Sequence, residues 1–396
     1  MANNALSIEQ AYTFLSSLYS QAMGSEQSIV SVDSKNFVSV ANSVLKTGTD
    51  NTLGAISQIL GRTIFSIRPY TARFAGIDWT AERWGNMTRK INYADLPIDE
   101  TDDSITLTDG ASVDPWTIKK PAVVQTNYYG QQAFQDHVTI FEQQLDTALQ
   151  SPEELARFIS GVMQNMMDKL EMFREDQARS ALINFAAGKA AASNCYVNVL
   201  QEYYNETGVE LTAATMLSDT YYVPFVKWLY SYINTLTRMM SERSLKYHIN
   251  ITGKEIARHT PANRLKAYMS ARIMDAIDSI ALPSVYGADR LKMVDFEGVS
   301  YWQNINDPTT IKAKPVYLAT DGTLTEANAD TTISNMIGIL FDDEAIGMNR
   351  FMQRVDRSVL NPRGLYSNFF YHEHIRVMND FTENGVVLYA GSVTTT

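Results

Sequence analysis

Two histidines flank a glutamate near the C-terminal end of the chain, as His372, Glu373 and His374. If this segment is a β-strand, both imidazoles face the same side and could bind a metal ion. A closed site needs four ligands, and no cysteine or acidic cluster at fixed spacing supplies the others. We therefore favour the alternative, in which one face of a strand carries two ordinary polar rings, and we predict no metal and no cofactor.

Two further segments have the composition of known binding loops but not their spacing. Gly253-Lys254 is typical of a phosphate-binding loop, but that motif needs a glycine where His248 stands and a hydroxyl residue where Glu255 stands. The stretch 99–104 is as acidic as a calcium loop, yet the position that requires glycine holds a serine. The sequence also has no G-x-S-x-G or G-x-G-x-x-G motif. These patterns give no indication of an active site.

Cys195 is the only cysteine in the sequence. A nucleophilic cysteine needs a nearby base, and no family signature surrounds this one. We predict a half-buried structural thiol. A single cysteine cannot form an intramolecular disulfide, so the chain fits a reducing compartment.

The charge balance excludes several classes of partner. The 396 residues include 33 basic and 44 acidic residues, for a net charge of −11. This argues against a dedicated nucleic-acid-binding surface and against docking on anionic membranes. Charged residues make up only 19% of the chain and aromatic residues 11%. Because aromatic residues are enriched in interface cores, we expect part of the surface to be buried against other subunits.

A strongly acidic stretch lies between two strand-like segments, 86–93 and 121–129. It contains no Lys or Arg and seven acidic residues: Asp95, Asp99, Glu100, Asp102, Asp103, Asp109 and Asp114. The pattern predicts a strand, an acidic loop and a returning strand. It has too few large apolar residues for a core of its own, so it must lie on a neighbour or extend into solvent.

The strongest local signal predicts a helix from Ser151 to Gly188, about 55 Å long. Ser151 is the N-cap, Pro152 takes the first helical position, and Gly188 ends the helix. One internal glycine, Gly161, marks a place where a bend would cost little. The apolar stripe at helical spacing includes Leu155, Phe158, Ile159, Val162, Met163, Met166, Leu170, Phe173, Ala178, Ala181, Leu182 and Phe185.

Residues 196–344 read as a mixed helix and strand region. Two helices are predicted, at 223–241 and at 261–279, with a buried strand at 246–251 between them. Further short strands are predicted at 292–296, 299–302, 315–319 and 333–341.

The order of these parts resembles the major capsid proteins of tailed bacteriophages, a fold shared with the herpesvirus capsid floor and the encapsulin shells. The most recognisable stretches are FDDEAIGMNRF at 341–351 and NPRGLYSNFFYHEHIRVMNDFTENGVVLY at 361–389. The resemblance implies an α+β fold divided into an N-terminal arm (1–62), an extended β-loop (63–130), a peripheral domain with a spine helix (131–195), an axial domain (196–344) and return strands of the peripheral domain (345–396).

The resemblance also implies a structural protein and not an enzyme. Such a subunit assembles with itself into hexamers and pentamers that enclose double-stranded DNA without binding it specifically. Scaffolding, portal and decoration proteins are the expected partners, and no membrane is expected. The expected location is the virion capsid, assembled in the host cytoplasm. The alternatives are an encapsulin-like shell around a protein cargo and a soluble enzyme with an unrecognised site.

In this family the extended loop reaches over the adjacent subunit, so an acidic tip would need basic partners there. We predict an interface between Asp99, Glu100, Asp102 and Asp103 of one copy and Arg350, Arg354, Arg357 and Arg363 of the next. Arginine suits such contacts because its planar fork can hold a carboxylate through two hydrogen bonds. The alternative is a solvated loop whose charge serves only solubility.

Overall fold

The computed structural model describes Leu15, Phe74, Ile77 and residues 87–95, 102–114, 116, 118, 120–148, 152–191, 195–278 and 296–394. Apart from Leu15, the predicted arm over 1–62 lies outside the described residues. So do Asp99 and Glu100, and only the backbone of Asp103 is described.

The described residues form strands β1 (Met87–Tyr93), β2 (Val123–Tyr129), β3 (Gln132–Phe141), β4 (Tyr196–Asn198), β5 (Leu265–Ser270), β6 (Phe296–Val299), β7 (Ile311–Ala313), β8 (Val316–Leu318), β9 (Leu324–Glu326), β10 (Thr331–Ile333), β11 (Met336–Asp342), β12 (Ile346–Arg357), β13 (Tyr366–Asn379) and β14 (Gly385–Tyr389). The helices are α1 (Asp103–Thr106), α2 (Glu142–Ala148), α3 (Pro152–Ala191), α4 (Val199–Thr207), α5 (Tyr222–Ser241) and α6 (Ala271–Ala276).

A five-stranded sheet in the order β4-β14-β11-β5-β6 lies at the centre of the fold. Strand β11 is buried along its whole length, which explains its nearly continuous apolar sequence, MIGILFD. The residues of β11 pack in two different cores. Ile337 and Leu340 join the core formed by α4 and α5, whereas Ile339 and Phe341 join the core formed with α3. The sheet is therefore covered on both faces.

The second main sheet has three antiparallel strands in the order β12-β13-β3. One of its faces packs on α3, where Phe134 stacks on Phe173 with ring centroids 4.5 Å apart. Further along α3, Phe185 joins the core of the central sheet. The 40-residue helix α3 thus connects the two sheets.

Strands β1 and β2 pair antiparallel from Met87 opposite Tyr129 to Tyr93 opposite Val123. This confirms the outgoing and returning strands that the sequence predicts. We call residues 94–122, which connect the two strands, the excursion. It contains the short helix α1, which no pattern in the sequence predicts.

Two predictions in the region 196–344 are wrong. Residues 261–279 are not one helix, because Leu265–Ser270 form β5 between β11 and β6 and only Ala271–Ala276 are α-helical. Strand pairing on both sides outweighs the helical spacing of the apolar residues there. Residues 246–251 form no strand. Tyr247 has a φ of 64°, which interrupts an extended run, and the backbone N–H of Ile249 donates to the carbonyl of Phe381.

Two element boundaries also differ from the prediction. Helix α3 continues past Gly188 to Ala191. A Cβ at Gly188 would lie 2.5 Å from a ring carbon of Phe381, so this glycine permits close packing and does not end the helix. The strand predicted at 299–302 is instead β6, which ends at Val299. Most of the strand predicted at 292–296 lies outside the described residues.

Candidate functional site

The excursion exposes large apolar side chains around its acidic residues. Trp116 is 83% exposed, and the other exposed side chains are Ile105, Leu107, Val113 and Ile118. Isolated exposed apolar residues are ordinary, but several on one short segment are typical of a surface that another protein covers. The tip of the excursion therefore has the composition of a contact surface.

Two carboxylates of the excursion organise its local turns. Asp102 accepts hydrogen bonds from the backbone N–H of Ser104 at 3.0 Å and from its hydroxyl at 2.5 Å. These bonds lower the pKa of Asp102, so its charge is retained at neutral and mildly acidic pH. Asp114 accepts in the same way from the backbone N–H of Trp116 at 3.0 Å.

The base of the excursion is held by an ion cluster around Lys90 of β1. The ammonium of Lys90 lies 2.6 Å from Glu383, 2.9 Å from Asp380 and 3.1 Å from Glu344. Burial alone would lower the pKa of Lys90, but the charges of Asp380 and Glu383 outweigh burial and raise it. Burial would likewise raise the pKa of Asp380, but Lys90 and Thr382 lower it. The ion pair therefore persists into the acidic range.

Further polar contacts connect the same hairpin to the body. Asp95 pairs with Arg243, and its other carboxylate oxygen accepts from the backbone N–H of Ala257 at 2.6 Å. Arg376 of β13 donates to the hydroxyl of Thr88 at 2.9 Å. The hairpin is thus tied by polar contacts to the 243–257 segment, to β13 and to the turn after it. These contacts fix where the excursion leaves the body.

The four arginines predicted to receive the acidic tip do not share one face. In β12, Arg350 lies opposite Ile375 and Arg357 lies opposite Phe369, and both of these partners are buried on the side of α3. Arg354 lies opposite His372 on the other face and pairs with Asp356 at 2.6 Å.

Arg363 lies in the turn between β12 and β13 and is exposed. Arg354 and Arg363 are therefore accessible, while Arg350 and Arg357 are partly buried. A contact with the excursion of a second copy stays a prediction.

The His-Glu-His segment belongs to β13. Glu373 is 0% exposed and accepts from Arg174 of α3, at 3.0 Å from Nε and 2.9 Å from Nη2. His372 and His374 alternate with it and lie on the other face of the sheet, as predicted for a strand. The structure has no group of three or more His, Cys, Asp or Glu placed to hold a metal ion in the ranges it describes.

Sequence reasoning missed the partnership between Glu373 and Arg174. Arg174 also donates to Glu171 at 2.6 Å, so a buried ionic group lies between α3 and the three-stranded sheet. The available signal was a carboxylate on the buried face of a strand, which requires a buried cation. Nothing in the sequence says which of the basic residues supplies it.

The remaining chemical candidate is Cys195. It is buried, more completely than the half-buried thiol that we predicted. Burial raises the pKa of the thiol, which disfavours the nucleophilic thiolate. Among the helices in the described ranges, none is long and apolar enough to span a membrane.

These features define a class of protein. Two sheets joined by one long helix carry a hairpin that is anchored at its base and uncovered at its apolar, acidic tip. Such a chain is a structural subunit that is completed by contact with others.

The comparisons identify the family. The model of the Phi29-like phage major capsid proteins matches residues 16–389, so this chain belongs to that family. It is a structural subunit of a phage capsid, it self-associates into capsomers, and it is located in the virion. No curated protein matches the sequence significantly.

Solved structures agree on the fold. A chain of the Staphylococcus phage Andhra capsid has a TM-score of 0.53 and 11% identity, over 81% of this chain and 84% of that one. A chain from the structure of the head fiber and inner core protein gp22 of bacteriophage P68 has a TM-score of 0.50 and 9% identity, over 81% and 85% of the two chains. The predicted tailed-phage major capsid fold is confirmed.

Proposed function

We propose that this chain tiles as hexamers and pentamers around double-stranded DNA, and that the excursion of each copy binds the neighbouring copy. The observation that carries the proposal is the exposed apolar and acidic tip on a hairpin whose base is fixed. In this role the chain has no enzymatic activity. Its further partners are scaffolding, portal and decoration proteins, and assembly occurs in the host cytoplasm.

The anchored base supports this role energetically. Ordering a free loop on binding costs conformational entropy, and a loop that already leaves the body in a set direction loses less of it. Burial of the exposed apolar side chains then supplies the main attraction. Each exposed ion pair adds only ~0.2–1 kcal/mol, but the same pair recurs around every capsomer.

We assign the charged part of the contact to Asp99, Glu100, Asp102 and Asp103 of one copy and to Arg350, Arg354, Arg357 and Arg363 of the next. Arg354 and Arg363 are the accessible members of the basic set and take the leading part. The net charge of −11 supports enclosure of DNA without tight binding, because tight binding requires Lys and Arg contacts to phosphate.

The test is to replace Asp99, Asp102 and Asp103 with Asn and Glu100 with Gln. We expect the subunit to fold and the shells to be less stable and less sensitive to salt, because screening then has fewer charges to act on. Shell dissociation against salt concentration, followed by light scattering, measures both effects.

The matched control removes four negative charges elsewhere on the exposed surface, at Glu210, Asp219, Glu242 and Asp307. If the control and the excursion variant change the dissociation curve equally, the charged contact is contradicted. Assembly itself is contradicted by a monomer of about 44 kDa as the only species at high concentration, even after coexpression with the neighbouring genes.

A further inference from the structure

A chain of buried polar side chains runs beneath the anchored base of the excursion. The hydroxyl of Thr260 donates to Asp342 at 2.8 Å and accepts from the amide of Asn384 at 3.1 Å. The amide oxygen of Asn384 lies 3.1 Å from Nδ1 of His248. All four side chains are buried. The two ends of this chain, Asp342 and His248, are both titratable.

The contacts of His248 reveal a constraint on its protonation. Nε2 lies 2.8 Å from the carbonyl oxygen of Ile256 and 3.0 Å from the amide oxygen of Asn250. Both ring nitrogens therefore face hydrogen-bond acceptors. With Asn384 in this orientation, only the doubly protonated imidazolium satisfies them, and the hydrogen bonds then run from His248 towards an ionised Asp342.

A second arrangement satisfies the same groups with neutral His248. The amide of Asn384 turns over and donates to Nδ1, the hydroxyl of Thr260 donates to Asn384, and a protonated Asp342 donates to Thr260. Each arrangement holds one proton, either on His248 or on Asp342. When neither residue holds it, two acceptors are left facing each other inside the protein, which is costly.

The surroundings decide where the proton resides. Burial raises the pKa of Asp342 to about 6, whereas burial and then the charge of Lys189 lower the pKa of His248. The charged groups near Asp342 are Arg264, Asp343 and Glu344, and those near the Asn384 end are Lys189, Arg258, Asp380 and Glu383. The proton therefore belongs on Asp342, and the chain gains it as the pH falls through about 6.

Two members of this chain, Asp342 and Asn384, lie in the two turns that bind Lys90. The backbone N–H of Asp342 donates to the carbonyl of Asn384 at 3.0 Å, and that of Asp380 donates to the carbonyl of Ala345 at 2.7 Å. We propose that Asp342, Thr260, Asn384 and His248 share one proton, and that losing it loosens the turns at 342–345 and 380–384 and so the base of the excursion. This switch concerns the folded chain itself and does not depend on assembly.

The sign follows from linkage. The folded chain binds this proton up to about pH 6, while an unfolded Asp releases it near ~3.9. The stabilisation is therefore complete at low pH and is lost as the pH rises through about 6. From this group alone, the unfolding equilibrium constant is about tenfold larger at pH 7.5 than at pH 5.

The test uses Asp342→Asn in the full-length protein. The new amide can donate permanently to Thr260, so it imitates the protonated form at every pH. We expect the variant to lack the tenfold change, measured as the difference from wild type in urea unfolding at pH 5 and pH 7.5. Hydrogen exchange of residues 342–345 and 380–384, corrected for intrinsic rates, should rise with pH in wild type and stay level in the variant.

His248→Gln provides a second variant in case the first does not fold. The amide of the new side chain can donate permanently to the amide oxygen of Asn384. Asn384 then donates to Thr260, and Thr260 donates to an ionised Asp342, so the chain no longer needs the shared proton. Asp219→Asn, on the exposed surface, is the control and should keep the wild-type pH dependence. The proposal is overturned if Asp342→Asn or His248→Gln retains the full difference between pH 5 and pH 7.5.

Discussion

Replacing Lys90 with methionine tests what holds the excursion in place. The side chain of Lys90 is 20% exposed, but its partners Asp380 and Glu383 are 3% and 8% exposed. The change keeps the length of the side chain and leaves two nearly buried carboxylates without their cation. Arg258 still lies 3.0 Å from Glu383, so Asp380 bears most of the loss. Removing one partner of a buried ion pair costs about 3–5 kcal/mol, and we expect about 3 kcal/mol in the free energy of unfolding.

The pH dependence of this variant should reverse. In wild type the pKa of Asp380 is lowered by Lys90, so the stabilisation from the pair is lost as the pH falls through that pKa. Without Lys90, we expect burial to outweigh the hydrogen bonds from Thr382 and to raise the pKa of Asp380 above its unfolded value. The variant then recovers stability as the pH falls, because protonation removes the buried charge.

Urea unfolding of the full chain measures the loss, and limited proteolysis within 94–122 measures the release of the excursion. Arg89→Met is the matched control, because Arg89 is the neighbouring cation on the exposed face of β1. A second variant, Lys90→Met with Asp380→Asn, should recover most of the stability. If the free energy of unfolding of Lys90→Met lies within about 0.5 kcal/mol of that of the control, the ion cluster does not anchor the hairpin.

Two glycines give further predictions. Gly161→Ala should stabilise α3 by up to about 1 kcal/mol in thermal unfolding, because a Cβ there meets no atom within 4 Å. If Gly161 permits a bend or close packing by a neighbouring copy, the variant should also change the yield or shape of the particles. Normal particles would show that this glycine has no role in assembly. Gly338→Ala should destabilise by about 1–3 kcal/mol, because its Cβ would lie 2.9 Å from the carbonyl oxygen of Tyr268 in the adjacent strand. An unchanged melting temperature for Gly338→Ala would mean that β11 and β5 can separate at no cost.

The hairpin and the long helix were predictable because their signals are local. The residues of β1 and β2 favour strands over short segments on each side of an acidic stretch, and α3 carries a long apolar stripe at helical spacing. The ion cluster at the base was not predictable. Lys90 and Glu383 are 293 positions apart in the sequence, and the turn at 380–384 reaches the hairpin through the pairing of β13 with β12 and of β14 with β11.

The wrong prediction of a helix at 261–279 also arises from contacts between residues that are distant in the sequence. The segment LKAYMS has helix-forming residues, but it lies between β11 and β6, and its backbone hydrogen bonds go to both neighbours. Tyr268 and Met269 then pack in different cores, which only a strand buried on both faces allows. A spacing rule detects one buried stripe and does not detect two buried faces.

We expect the distribution of charge to keep the exposed apolar tip from folding back onto the body of its own chain. The excursion carries negative charge, and so does the chain as a whole, so the long-range field opposes collapse of the tip onto the body. Two basic residues at the base of the hairpin, Lys90 and Arg258, are engaged with Glu383. The exposed Arg363 and the accessible Arg354 lie instead at the turn end of β12. In the contact that we propose, the excursion would therefore be attracted towards that end of a second copy, and the anchored base would limit which copies it can reach.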